Sequence, residues 1–269
     1  MGKDHSDRDK ASSECYRGRM KLRHLLGPLA LCGIFCVHLQ AKEGLDLVPV
    51  GGDSAEETVP QKVGFRFALT AYLMPDKDGA YALTFSPYIK PSEESDLGDF
   101  MIAGYLIDQE TDAEVESFMV TAQNTVQSVN LKANRLYRLE VTSMKNDEPA
   151  DLTGSIIFPT GMRVALLASE ENSSWLDGVS GVIFVPSGCK EILCFGEPRL
   201  SLISPSGVRT DVSVNTSETE GLAKVPVDSG EDGQFWKVGN QTRGKVFFAG
   251  EVPPLINLNQ ADLLLPKEK

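Results

Sequence analysis

Between residues 61 and 250 the chain alternates apolar and polar positions in short runs, and no stretch carries a helical stripe over three turns. Period-two alternation marks a strand with one buried face. Phe65, Phe67, Leu69, Ala71 and Leu73 form one such run and predict one strand. Met74-Pro-Asp-Lys-Asp-Gly79 then turns the chain, and Ala80-Tyr-Ala-Leu-Thr-Phe-Ser returns as a second strand. Phe100 to Ile107 and Val115 to Val120 flank Asp108-Gln-Glu-Thr-Asp112 and predict a hairpin. Thr125 to Leu131 and Leu136 to Ser143, around Lys132-Ala-Asn-Arg135, predict another. There Tyr137, Leu139 and Val141 face away from Leu136, Arg138, Glu140 and Thr142. Ser155 to Phe158 and Arg163 to Leu167 complete this half.

The second half repeats the style. Gly181-Val-Ile-Phe-Val and Glu191-Ile-Leu-Cys-Phe read as strands, and Ser204-Pro-Ser-Gly207 is a turn signal between two more. Later strands are predicted at Gly221 to Val227, Gln234 to Val238 and Lys245 to Ala249. Short strands with turns at this spacing predict an all-β protein of two consecutive antiparallel β-sandwich domains, jelly-roll-like, over 61–172 and 173–269. Glu170-Glu-Asn-Ser-Ser174 is the expected seam, with Trp175 covering the junction. Val252 to Pro266 is apolar but broken by prolines, and predicts an irregular C-terminal strap with one short helical turn.

The leading tract is different. A basic stretch at Met20-Lys-Leu-Arg-His precedes an uncharged run to Ala41, whose apolar centre is Leu25 to Val37. That is the length of a secretory h-region and falls short of the roughly 20 residues a membrane span needs. Residues 1–41 therefore read as a signal peptide with an extended n-region, with Met20 an alternative start and Lys42 the first mature residue. Cleavage would leave no stable membrane span and place the protein outside the cell, in the periplasm or in the cell envelope. Residues 42–60 follow as a flexible acidic segment.

Charge and histidine content narrow the chemistry. The chain has 26 Lys+Arg against 38 Asp+Glu, a net of −12. Removing residues 1–41 leaves 19 against 34 and no histidine, since His5, His24 and His38 all lie in the leader. This excludes Ser-His-Asp and Cys-His catalysis and His-ligated metals from the mature chain. An acidic body also argues against nucleic-acid binding, which draws on a basic surface. No Gly-x-Ser-x-Gly, Walker or dinucleotide motif occurs, so no enzyme is expected. A carboxylate-pair glycan hydrolase or lyase is the one catalytic alternative the composition leaves.

Candidate contact residues cluster at Asp228-Ser-Gly-Glu-Asp-Gly-Gln-Phe-Trp236. Phe235 and Trp236 are strand neighbours and point to opposite faces. Either Trp236 stacks on sugar rings, with Asp228, Glu231 and Asp232 binding hydroxyls, or it fills the core. The same three carboxylates are oxygen ligands of the type calcium takes, although their spacing is not that of an EF-hand, and no other metal site is expected. Asp76 with Asp78, and Glu93 to Asp96, read as solvated loop charge. Cys189 and Cys194 are the cysteines beyond the leader. An oxidising compartment favours a disulfide between them, whereas an extended strand from one to the other would hold their Cα atoms too far apart. Sequons at Asn172, Asn215 and Asn240 would mark surface loops.

Val182-Ile-Phe-Val-Pro-Ser-Gly-Cys-Lys-Glu, Leu202-Ile-Ser-Pro-Ser-Gly, Val225-Pro-Val-Asp-Ser-Gly-Glu-Asp-Gly-Gln-Phe-Trp-Lys-Val, Gly244-Lys-Val-Phe-Phe and Val252-Pro-Pro-Leu occur in an order that has a likeness. In its second half the chain resembles a β-sandwich module of large exported proteins from planctomycete-like bacteria, related in style to pre-peptidase C-terminal domains. The resemblance implies a jelly-roll-like accessory module, often attached to carbohydrate-active or peptidase chains, and carries over no catalytic residue. The expectation is an exported accessory protein that binds glycan or cell-surface polymer. The alternative is a structural or protein-interaction module of the envelope. Its partners would accordingly be a polysaccharide or an envelope protein.

Overall fold

The computed structural model describes residues 45–50, 60–87, 100–121, 124–170, 174–177 (backbone only), 180–196, 200–212, 222–239, 244–259 and 263–267. The leader, the three sequon asparagines, Glu93 to Asp96 and the Trp175 side chain expected at the junction lie outside these residues. Every regular element among them is a β-strand. After β1 (Leu47–Val50), the first half supplies β2 (Gln61–Arg66), β3 (Ala68–Pro75), β4 (Gly79–Pro87), β5 (Phe100–Asp108), β6 (Ala113–Thr121) and β7 (Val126–Leu131). It continues with β8 (Tyr137–Lys145), the two-residue β9 (Glu148–Pro149), β10 (Thr153–Phe158) and β11 (Met162–Leu167). The second half supplies β12 (Ser174–Asp177), β13 (Ser180–Val185), β14 (Glu191–Gly196), β15 (Leu200–Ile203) and β16 (Arg209–Val212). It ends with β17 (Ala223–Pro226), β18 (Gln234–Gly239), β19 (Gly244–Ala249), β20 (Leu255–Asn257) and β21 (Leu263–Pro266).

The architecture is the expected antiparallel β-sandwich. One sheet runs β17-β14-β19-β12-β2-β10-β4-β7 and the other β16-β15-β18-β13-β20-β11-β3-β8-β5-β6, with β9 paired to β8. Outward from the β2–β12 joint, the first sheet reads β2-β10-β4-β7 one way and β12-β19-β14-β17 the other. Outward from the β11–β20 joint, the second reads β11-β3-β8-β5-β6 and β20-β13-β18-β15-β16. Leaving β9 aside, each strand of the first half sits where the strand of the same rank in the second half sits. The molecule is an internal structural repeat.

The boundary drawn near residue 172 falls between β11 and β12, where the first repeat ends. It does not interrupt the sheets. Leu176 pairs with Phe65 across one joint, and Leu166 with Ile256 across the other. Leu45–Lys269 forms one compact unit. Phe65, Leu73, Phe85, Ile102, Leu139, Ile156 and Phe158 join Ile183, Ile192, Leu202, Trp236 and Ile256 in one continuous core. Each Phe or Leu fully buried there is worth about 1.5–3 kcal/mol.

Alternation reports which face a residue takes, not which strand it joins, and two expectations change for that reason. The run Phe65 to Leu73 is not one strand. Phe67 adopts φ 67° and is exposed, so β2 enters one sheet and β3 the other. A left-handed conformation costs a non-glycine residue about 1–2 kcal/mol. Hydrogen bonds from Phe67 N–H to Leu152 O (2.9 Å) and from Ser143 N–H to Phe67 O (2.7 Å) hold it in place. In the second half the corresponding connection contains Gly178. Likewise β7 and β8 are not a hairpin: β7 pairs with β4, and β8 with β3 and β5. The β5–β6 and β15–β16 hairpins are formed.

Among the described residues the C-terminal strap holds two strands, β20 and β21, and not the expected helical turn. Leu263–Pro266 pairs antiparallel with Leu47–Val50, so part of the acidic leading segment is ordered. This ribbon covers Tyr72, Met74, Ala165 and Leu255 on the outside of the larger sheet. Asn257 fixes it from below, accepting Leu264 N–H at 2.7 Å and donating to Leu264 O at 3.2 Å.

Close approach of β13 and β20, beside the β11–β20 joint, depends on Gly181. A Cβ there would fall on the Asn257 carbonyl oxygen and within 2.8 Å of Ile256 Cγ2. Gly181→Ala is therefore expected to cost about 1–3 kcal/mol in a denaturant titration, as overpacking does. Gly79→Ala, which meets nothing within 4 Å, should leave the midpoint nearly unchanged.

Candidate functional site

The acidic segment preceding Trp236 is a tight turn. Glu231 N–H donates to Asp228 O at 3.0 Å, and Gly230 and Gly233 take φ of 87° and 68°, which glycine adopts without strain. From this turn β18 runs into the larger sheet with Trp236 inward and Phe235 outward. The opposite faces are as expected, but the Trp236 ring is only 2% exposed and no stacking surface remains. Its Nε1–H donates to Glu231 O at 3.0 Å, so the polar tip of a core side chain is satisfied by its own turn. Of the two places expected for Trp236, it occupies the core. Phe235 is 38% exposed and lies 5.3 Å from Phe184, its cross-strand neighbour.

The carboxylates are engaged with neighbouring turns. Glu231 is buried, and its Oε1 accepts Ser206 N–H at 3.3 Å and the Ser206 hydroxyl at 2.5 Å. Ser206 Oγ is also 2.9 Å from Ser204 Oγ. The hydrogen bond from the Ser206 hydroxyl, followed by that from Ser204, holds the Glu231 carboxyl below its ordinary value. Asp232 Oδ2 accepts Gly188 N–H at 2.7 Å, and this amide chiefly holds its carboxyl low. Asp228 is exposed and gives the turn its backbone carbonyl. Among the described residues no group of three or more His, Cys, Asp or Glu is placed to hold a metal ion.

The first half builds the same junction from other residues. Ala133 N–H donates to Asp78 Oδ1 at 2.7 Å and Asn134 N–H to Pro75 O at 2.8 Å. Tyr137, the counterpart of Trp236 in its repeat, accepts Lys132 N–H on its hydroxyl at 3.0 Å. Arg135 pairs with buried Asp108, whose Oδ1 also accepts Glu110 N–H and Thr111 N–H. Burial alone would raise the Asp108 carboxyl, but the Arg135 guanidinium and these two amides outweigh it and keep it low. In each repeat the second, fourth and sixth connections are thus tied at one end of the sandwich. Asp76, expected as solvated charge, accepts from Arg163 at 2.6 Å.

Cys189 and Cys194 are buried free thiols rather than a disulfide. Cys189 donates to Glu191 O at 3.2 Å, while Cys194 lies in extended β14, which carries it away. Burial raises both thiols, Cys194 to about 12.

Exposed apolar side chains also occur away from this turn. Val115 and Met119 on β6 are each 45% exposed, and Tyr105 on β5, opposite Ser117, is 37% exposed. The expected alternation hid this face, because Phe118 and Val120 already accounted for β6 as a strand with its apolar side inward. On the smaller sheet Phe195 and Phe247 stack 5.2 Å apart, with Lys245 Nζ 5.9 and 5.8 Å from their centroids. Compared with known proteins, the chain matches no family model, no curated protein and no solved structure.

Two outcomes are expected. Iodoacetamide should leave Cys189 and Cys194 unlabelled in the native protein and label both in denaturant without reductant, read by mass spectrometry. Because the Glu231 carboxyl is low in the folded state, its contribution is complete above its ordinary value of 4.5 and is lost as pH falls through the folded value. Melting curves against pH should show Glu231→Gln less stable at neutral pH and losing less on acidification.

Proposed function

We propose that the chain is an exported, non-catalytic protein-interaction module serving a structural role in an envelope or extracellular assembly. One observation carries this reading: the aromatic ring and two of the three carboxylates that a ligand site at Asp228–Trp236 would need are spent inside the fold. A sugar platform needs a flat exposed ring with free polar groups around it. Here the ring fills the core, and Glu231 and Asp232 hold neighbouring turns. Export rests on the leader pattern.

The second reading, glycan or surface-polymer binding, is favoured by Phe235, which remains exposed beside Phe184. A glycan array probed with the full chain, with and without millimolar calcium, separates the two. The interaction-module reading expects no retained glycan in either condition. Retention that Phe235→Ala abolishes would replace it with the glycan reading.

A further inference from the structure

We infer that β6 is a strand-addition site for an extended segment of another polypeptide in which apolar residues alternate with Lys or Arg. This deepens the interaction-module reading and rests on it. Among the described residues β6 has one hydrogen-bonded neighbour, β5, so one edge of its backbone faces outward. An edge strand presents unpaired N–H and C=O groups, which added strands use for affinity. The chain makes this kind of joint twice within itself, β2 to β12 and β11 to β20.

The internal repeat supplies a comparison inside one molecule. β16 holds the equivalent place at the other end of the same sheet. Its described residues bear the exposed, ion-paired Arg209 and Asp211, 2.8 Å apart, with exposed Val208 just before them. Charge is one means by which natural sheets close an edge. β6 has nine residues and exposes Val115 and Met119 instead, with Tyr105 adjoining. The bulge at Val115, between Glu114 and Glu116, and the Thr121–Asn124 backbone hydrogen bonds limit the regular pairing stretch to Glu116 through Val120.

Charge selects the occupant. Glu114 is exposed on this strand, and Glu116 is half-buried with its Oε1 accepting from Gln127 at 2.6 Å. A second copy would bring the same two glutamates to the edge, on a chain of net charge −12. Opposed like charges destabilise a strand pair, whereas Lys or Arg stabilises it.

The test measures fluorescence anisotropy of a short labelled peptide of alternating Val and Lys added to the full chain. Two further peptides are a Val–Glu version and a Val–Lys version N-methylated on alternate amides. The Val–Lys peptide should bind at least about tenfold more tightly than either, since like charge and a lost ladder each oppose docking. Val115→Thr with Met119→Thr should weaken it by about tenfold while the thermal melt stays in place. Should that pair fail to fold, Glu114→Lys with Glu116→Lys must move preference toward the Val–Glu peptide. Absence of Val–Lys binding, equal binding of the N-methylated peptide, or indifference to both variants overturns the site. So does a dimer in sedimentation that the Thr pair abolishes, which would make a second copy the occupant. These failures leave the interaction-module reading standing, because that reading falls only to the glycan array.

Discussion

A strand that ends a sheet leaves half its backbone hydrogen-bonding groups unused, and this constraint organises the molecule. Each repeat ends in two such strands, β2 with β11 and β12 with β20. The repeats satisfy each other at both places with antiparallel pairing. Because both joints form, the two sandwiches share one interior, and Phe65 and Trp236 belong to the same core although 171 positions separate them. Removing either repeat would uncover two long edges together with the apolar layer between them. Nearly every pairing joins segments distant in sequence, a topology in which loop closure slows folding.

Both repeats close one end in the same way with different chemistry. Where the first uses an Asp108–Arg135 ion pair, the second uses Glu231 on Ser206. Where Asp78 of the second connection receives an amide from the sixth, Asp232 of the sixth receives one from the second. Three antiparallel pairings separate β3 from β13, so the two strands run in opposite directions and the tied ends lie at opposite ends of the sheets. Acidic residues in these turns are therefore acceptors that tie one turn to the next. Their concentration around Trp236 reflects the turn's architecture.

Much of the fold could be read from local pattern. The inward set Tyr137, Leu139 and Val141, the division of Phe235 from Trp236, and the turn at Ser204 to Gly207 follow from period two and turn chemistry, which are properties of a few adjacent residues. The break at Phe67 could not be read, because its left-handed backbone is held by carbonyl and amide groups of residues 143 and 152. The partners of β7 and β8 were equally hidden, since a short polar linker fits a crossing between sheets as well as a hairpin. At the candidate site, residue types were legible and their engagements were not. Glu231 meets Ser206, and Asp232 meets Gly188, only after distant turns converge.

The ribbon of β1 and β21 gives the molecule a particular response to tension. Leu47 lies opposite Pro266, and Lys267 N–H bonds Asp46 O, so the chain enters and leaves at the same end of the ribbon. Force applied through both ends would open it like a zipper, one rung after another, rather than shearing all rungs together. The two strands would part before tension reached the sandwich beneath.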